Sequence, residues 1–129
     1  MRLLGIDYGK SKIGLSISAG RTALPLQVIV DWQPDELLRR LREIIEQEEV
    51  VKIVVGMPLN FSRLPTKQSQ SVFDFANWLK DNLPVEVVLA DETLTSKLAQ
   101  KQGSGSQDDA QAAAYILQSY LDKFYQHDA

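Results

Sequence analysis

The chain opens with two short apolar segments that are separated by a glycine-containing turn. Residues 3–6 are continuously apolar, which is typical of a strand that is buried on both faces. Apolar and polar or small residues then alternate along residues 13–17, as in a strand with one polar face. Gly9 and Gly14 punctuate the tight return between them, so the pattern predicts a hairpin whose first strand ends at Asp7.

A third strand and the first helix follow the hairpin. The apolar stretch from about Leu26 to Val30 comes after Pro25, which favours a strand start or an edge strand because proline cannot donate to the ladder. Pro34 then suits a first helical turn, and the apolar positions that follow recur at helical spacing. That apolar stripe consists of Leu37, Leu38, Leu41, Ile44 and Ile45.

Two β-branched runs predict parallel strands in the second half of the chain. They cover Val50 to Val55 and Val85 to Leu89, and a helix at about residues 67–81 supplies the crossover that parallel strands need. A final helix begins near Gln107. The stripe of the crossover helix is Val72, Phe73, Ala76 and Leu79, and that of the final helix is Ala113, Ile116, Leu117, Tyr120, Leu121 and Phe124.

This order of elements, β β β α β α β α, predicts an α/β fold. We expect one domain over residues 1–129, with a mixed five-stranded sheet in the order 3-2-1-4-5 that is flanked by helices. In open sheets of this kind, ligands bind beyond the carboxyl ends of the parallel strands. Asp7, Gly56 and Glu92 all fall at that edge.

Composition narrows the class of protein. The chain has no cysteine and no apolar run near the roughly 20 residues that span a bilayer, so we expect a cytoplasmic protein without membrane association. The net charge of −3 argues against nucleic-acid binding through overall positive charge, although a few local cations can still orient a polyanion. The candidate cations are Lys10, Lys12, Arg21, Arg63, Lys67, Lys97 and Lys101.

Three carboxylates from distant segments are the candidate catalytic residues. Asp7 ends the first strand, Glu92 follows the last strand, and Asp109 lies one turn before the apolar stripe of the final helix, facing the sheet. Asp108 is turned about 100° away on that helix. Each acid also has a structural interpretation: Asp7 could bond turn amides, Asp109 could belong to a helix cap, and Glu92 could be solvated.

A shared metal explains the three acids together. Carboxylates gathered at one point repel one another unless divalent cations lie between them, and ligation by oxygen alone suits Mg²⁺ or Mn²⁺. A pair of such ions supports phosphodiester hydrolysis. The predicted order places the strands of Asp7 and Glu92 about 9.6 Å apart, so both side chains must lean inward to reach one metal cluster.

Four blocks of the chain resemble the YqgF family. The blocks are GIDYGKSKIGLSIS, VVGMPL, VVLADETLTS and DDAQAAAYILQSYL, and together they cover nearly the whole chain. This family is similar to Holliday-junction resolvases within the ribonuclease H superfamily, and its members are assigned to the maturation of pre-16S ribosomal RNA. The resemblance implies a ribonuclease H-like sheet and a metal-dependent nuclease with Asp7, Glu92 and Asp109 as metal-binding catalytic acids.

The chain also departs from the family pattern at positions that concern substrate binding. Lys12 and Thr93 stand where the family usually has arginine, so the bidentate guanidinium is lost at both positions. The loop after Pro58 lacks the usual glycine and acid. We expect the substrate to contact Lys10, Lys12, Asn60, Arg63 and Thr95.

Other functions and substrates stay open at this point. An actin-like or sugar-kinase ATPase opens similarly, but the chain is too short for two lobes and has no second phosphate loop. Thr93 favours a non-catalytic nucleic-acid-binding factor in ribosome assembly. Structured RNA, including pre-16S ribosomal RNA at its 5′ end, and a four-way DNA junction are both possible substrates, and the protein could be a monomer or a homodimer. Trp32 and Trp78 are interpreted as structural anchors.

Overall fold

Five strands form one mixed sheet in the order β3-β2-β1-β4-β5, which confirms the predicted order. The structure, a computed structural model, describes residues 1–59, 67–93 and 107–126. The strands are β1 (Arg2–Asp7), β2 (Lys12–Ala19), β3 (Thr22–Val30), β4 (Val50–Leu59) and β5 (Glu86–Thr93). The helices are α1 (Pro34–Glu48), α2 (Lys67–Asn82) and α3 (Gln107–Gln126).

The first strand lies at the centre of the sheet. It pairs antiparallel with β2 and parallel with β4, and β4 in turn pairs parallel with β5. Because β1, β4 and β5 run in the same direction, their carboxyl ends meet at one edge of the sheet. This topology places the end of β1 beside the ends of two other strands.

The helices divide between the two faces of the sheet. Leu4 and Ile6 of β1 pack with the buried residues of α1 and α2, among them Leu41 and Leu79. On the other face, Val54 of β4 packs with α3 through Leu117. Alternate residues of β1 therefore point to different helices, as the pleat of a strand requires. Among the helices in the described residues, none has the length and apolar character needed to cross a bilayer.

The third strand is longer than the sequence pattern indicates. It begins at Thr22 rather than near Leu26, and Pro25 lies inside it. The register between β2 and β3 shifts at Leu15 and Ser16, and Pro25 lies opposite Ser16 at this irregularity. An edge strand tolerates proline at such a point, since no outer neighbour needs its missing donor.

Two aromatic residues that were assigned to buried helical stripes are exposed. Phe73 of α2 is 46 % exposed and Phe124 of α3 is 51 % exposed, whereas Phe75, which lies outside the predicted stripe, is buried. The error has a simple cause. Helical spacing gives only the approximate direction of the buried face, and the packing partners determine which of two nearby aromatic residues is covered.

Helix α1 ends in a strained residue, which provides a stability prediction. Glu49 follows the helix with a positive φ of 55°, and its N–H donates to the carbonyl of Ile45. A left-handed backbone costs a residue with a Cβ about 1–2 kcal/mol, whereas glycine adopts it freely. We expect Glu49→Gly to be about 1 kcal/mol more stable to urea than Glu49→Ala, which removes the same charge but keeps the Cβ. Equal stabilities of the two variants would contradict this explanation.

Candidate active site at the carboxyl edge of the sheet

The first acid of the site ends the central strand. Asp7 is the last residue of β1 and is only 5 % exposed. Asp7 comes two residues after Gly5, so the two residues lie on the same face of the strand. A Cβ on Gly5 would lie 2.8 Å from Cβ of Leu117 in α3. The alternation along β1 therefore places Asp7 on the face that α3 covers, while Ile6 and Tyr8 contact the opposite core.

A glycine on the neighbouring strand brings the start of α3 against this position. Gly14 of β2 is the residue paired with Asp7. A Cβ on Gly14 would overlap the carbonyl group of Asp109 and would lie 3.0 Å from the backbone nitrogen of Ala110. The absence of a side chain therefore allows the first turn of α3 to rest directly on β2. As a result, the Asp109 backbone lies over the residue that pairs with Asp7.

Small residues flank Asp7 across the sheet on the side of α3. Ile6 pairs with Val55, so Asp7 is level with Gly56 on β4, and Gly56 pairs with Ala90 on β5. A Cβ on Gly56 would come within 2.9 Å of Cγ1 of Ile116, which shows how closely α3 approaches there. Asp7 is thus the one polar residue in a row with Gly14, Gly56 and Ala90. This row lets the first turns of α3 pack directly against the sheet beside Asp7.

The third predicted acid lies further along the same edge. Glu92 is within β5, opposite Pro58 of β4, and two residues beyond Ala90. With two strand spacings and two residue rises, the α-carbons of Asp7 and Glu92 are about 12 Å apart. Position 92 alternates with Val88 and Ala90, which belong to the core on the α3 face. The backbone therefore assigns Glu92 to the same face as Asp7.

The structure thus places the backbone of Asp109 over the residue that pairs with Asp7, and Glu92 lies in β5 at the same edge of the sheet. Asp109 is half-buried, Asp7 is buried, and the side chain of Glu92 lies outside the described part of the chain. Within the described side chains no cluster of three potential metal ligands is present. A site made by all three acids therefore stays a prediction that the backbone geometry supports.

Two of the five predicted substrate-binding residues lie in the described part of the chain, and three lie outside it. Lys10 and Lys12 are both exposed near the turn between β1 and β2. Lys10 lines a cavity of about 360 Å³ together with Lys67 at the start of α2. Asn60, Arg63 and Thr95 lie outside the described residues, so their proposed contacts stay predictions.

One lysine with a shifted pKa lies away from this edge. The pKa of Lys52 is raised, chiefly because its ammonium donates a hydrogen bond to the Tyr120 hydroxyl at 3.0 Å. Partial burial acts in the opposite direction, and the carboxylate of Glu86, 3.9 Å away, adds to the increase. Lys52 pairs with Leu3 near the amino end of the parallel strands, so it joins β4 to α3 and does not belong to the site.

Sequence reasoning missed an aromatic cavity next to the site. It has a volume of about 370 Å³ and lies on the face of the sheet opposite to Asp7. The sequence connects only Tyr8 with the site, because Tyr8 directly follows Asp7. The other aromatic residues come from distant segments. The lining aromatic residues are Tyr8, Trp32, Phe75 and Trp78.

The arrangement at the end of β1 can be compared with known proteins. A family profile described as "RuvX: Holliday junction resolvase" matches residues 1–123, almost the entire chain. The chain belongs to the RuvX family. RuvX is the family named YqgF above, so this membership confirms the resemblance and supports a nuclease function. The four blocks that carry the resemblance contain all three acids of the predicted site.

Curated relatives of this RuvX family member include proteins from two bacterial groups. A Rickettsia bellii protein named "Putative pre-16S rRNA nuclease" is 35 % identical over 130 residues, which cover 92 % of this chain and 84 % of the relative. A Sulfurihydrogenibium protein of the same name is 32 % identical over 133 residues, covering 95 % and 90 %. Both similarities extend over most of each protein.

Solved structures show the same fold at low sequence identity. RuvC from T. thermophilus, in complex with a Holliday junction substrate, aligns with a TM-score of 0.56 and 16 % identity over 96 % of this chain and 95 % of RuvC. The Fowlpox virus resolvase bound to Holliday junction DNA aligns with a TM-score of 0.57 and 11 % identity, over 96 % and 99 %. These comparisons confirm the ribonuclease H-like sheet predicted from the sequence.

Proposed function

We propose that this protein is a metal-dependent nuclease that hydrolyses phosphodiester bonds in structured RNA during 5′-end maturation of pre-16S ribosomal RNA. The observation that carries the proposal is the contact between α3 and Gly14, which brings the backbone of Asp109 over the residue paired with Asp7. The backbone positions of two acids from distant parts of the chain are therefore close together. The names of the curated relatives support RNA as the substrate class.

The residues at this edge fit Mg²⁺ or Mn²⁺. Asp7 and Asp109 supply carboxylate oxygens, which these cations prefer, and Gly14 lets the first turn of α3 bring the Asp109 backbone close to the position of Asp7. We assign Asp7, Glu92 and Asp109 as the metal-binding residues. When bound, the metal would lower the pKa of water and stabilise the negative charge on the leaving oxygen.

The chain itself would bind and orient the substrate. Asp7 is held by a buried strand, so its carboxylate is fixed in position before the substrate binds. Lys10 and Lys12 are exposed near the adjacent turn and can hold phosphate groups of the nucleic acid at the edge of the sheet. In the reaction, an oxygen of water bonds to phosphorus as the bond to the leaving oxygen breaks.

A four-way DNA junction is the second candidate substrate. Two neighbours with the same fold are solved in complex with Holliday junctions, and the family carries the name of a junction resolvase. The chemistry at the scissile phosphate would be the same for either substrate. A binding factor without catalysis is the third possibility, and the replacement of a family arginine by Thr93 favours it.

A cleavage assay with two substrates tests these alternatives. Purified protein is incubated with an end-labelled RNA hairpin that carries an unpaired extension, or with a four-way DNA junction, in Mn²⁺, in Mg²⁺ or in EDTA. We expect cleavage of the RNA with either metal and no cleavage in EDTA. Faster cleavage of the junction would establish the resolvase function instead.

A matched pair of variants connects cleavage to the proposed site. Asp109→Asn removes a proposed ligand, whereas Asp108→Asn makes the same chemical change about 100° away on the same helix. We expect Asp109→Asn to lose at least about a hundredfold in rate and Asp108→Asn to lose less than about threefold. Equal rates for the two variants, or cleavage that persists in EDTA, would contradict the proposal.

A further inference from the structure

The aromatic cavity behind the candidate site is built by four aromatic residues from three separate segments of the chain. Tyr8 directly follows β1, Trp32 comes from the loop before α1, and Phe75 and Trp78 come from α2. The Tyr8 and Phe75 rings are 4.4 Å apart between centroids, and Trp78 lies 5.9 Å from Phe75. Phe75 is buried, whereas the other three rings are half-buried and line the open space.

The cavity is connected to the site by the turn after β1. The indole nitrogen of Trp32 donates a hydrogen bond to the carbonyl of Gly9 at 3.2 Å, so the position of that ring is tied to the turn. Tyr8 directly follows Asp7, and their α-carbons are about 3.8 Å apart. The cavity therefore lies next to the candidate active site, on the opposite face of the sheet.

A basic cavity continues from the aromatic one. Tyr8 and Ser71 line both spaces, and the second space adds Lys10 and Lys67. Both lysines are exposed. The aromatic cavity, which can hold a flat ring, thus adjoins a second space that is lined by two ammonium groups. These ammonium groups can bind a phosphate.

We propose that the cavity lined by Tyr8, Trp32, Phe75 and Trp78 binds one unpaired base of the nucleic acid substrate, with an adjoining phosphate between Lys10 and Lys67. This inference rests on the proposed function, because it needs a nucleic acid at the Asp7 edge. It specifies a substrate with an unpaired nucleotide beside the scissile bond.

The dimensions and chemistry of the cavity suit a nucleobase. Its volume of about 370 Å³ falls in the range of small-ligand sites, and a base can stack on indole and phenol rings. Ser71 and Asp74 add polar groups at the wall, and the carboxylate of Asp74 can accept hydrogen bonds from amino groups of a base. A fully paired duplex presents no free base to such a cavity.

The tryptophans make this proposal directly measurable. The chain contains two tryptophans, and both line the cavity. We would titrate the full-length Asp7→Asn variant in EDTA with an RNA hairpin that has a single-stranded tail, and with the same hairpin without the tail. Binding is followed in parallel by the anisotropy of a dye on the far end of the RNA. We expect the tailed RNA to quench tryptophan fluorescence on binding, and the blunt RNA to leave it nearly unchanged.

Three further variants, made in the same background, test the location of the base. Trp78→Ala removes a stacking surface and should weaken binding of the tailed RNA by about tenfold. Ser71→Leu fills the junction of the two cavities while retaining every aromatic ring, and it should cause a similar loss. Phe73→Ala removes an exposed aromatic residue of the same helix outside the cavity, and it should change the affinity by less than about twofold.

The outcomes separate this inference from the proposed function. Bound tailed RNA without any quenching, or an unchanged affinity in both Trp78→Ala and Ser71→Leu, would overturn the base-binding cavity even if the wild-type protein cleaves RNA with Mn²⁺. Quenching by the tail in a protein that never cleaves would overturn the nuclease function but retain the cavity. Circular dichroism of each variant confirms that it is folded before its affinity is compared.

Discussion

Replacing Asp7 with asparagine is expected to lower the rate of metal-dependent cleavage by about a thousandfold. Asparagine has nearly the same shape, so the packing at the end of β1 is retained while a charged metal ligand is lost. Metal stabilisation of the transition state contributes several kcal/mol, and each 1.36 kcal/mol corresponds to a tenfold change in rate. The rate is measured under single-turnover conditions on the tailed RNA hairpin with Mn²⁺.

Metal binding gives a second measurement that does not depend on activity. At a Mn²⁺ concentration of about one hundred times its Kd, the wild-type protein should gain about 2.7 kcal/mol of stability to unfolding. The Asp7→Asn variant should gain much less at the same concentration, and Asp108→Asn should behave like the wild type. Equal stabilisation of Asp7→Asn and wild type would show that Asp7 does not bind the metal.

The Gly14→Ala substitution is expected to have the largest effect on stability, about 3 kcal/mol or more. The added methyl group would overlap the carbonyl of Asp109 and press on the nitrogen of Ala110, and both are backbone atoms of a helix. A side chain could rotate away, but here α3 itself must move. We expect a decrease of about 10 °C in the thermal midpoint, measured by circular dichroism.

Gly20→Ala serves as the matched control for this substitution. Gly20 has a φ of 63°, and no atom lies within 4 Å of the added Cβ. Gly20→Ala should therefore lose only the stability that corresponds to backbone strain, about 1–2 kcal/mol. The Gly14→Ala variant should also bind Mn²⁺ more weakly, because the displaced helix carries Asp109 away from Asp7. If Gly14→Ala were no less stable than Gly20→Ala, the close approach of α3 would not be essential to the fold.

The strand order and most helix positions follow from local features of the sequence. Alternation after Gly9 indicates the hairpin, and the β-branched runs at residues 50–55 and 85–89 indicate parallel strands that need a crossover. These features depend on neighbours within a few residues along the chain. The limits of β3, β4 and β5 were wrong because strand pairing, which depends on other segments, extends each strand beyond the apolar run that predicted it.

The sequence suggested the candidate acids but not how they are arranged. Their positions at element ends made Asp7, Glu92 and Asp109 candidates. Gly14 and Asp109, whose backbones lie against each other, are 95 residues apart along the chain, so no local sequence pattern predicts this contact. The register also shows that Glu92 lies two residues beyond the level of Asp7, which adds distance to the two strand spacings.

By itself, the sequence determined which segments become strands and helices and which carboxylates lie near their ends, because periodicity and turn residues act over short distances. Only the tertiary structure decided which residues meet. It assembled the aromatic cavity from Tyr8, Trp32, Phe75 and Trp78, and it left Phe73 exposed beside them. The physical reason is that burial depends on the partner surface, and each partner surface here belongs to a different part of the chain.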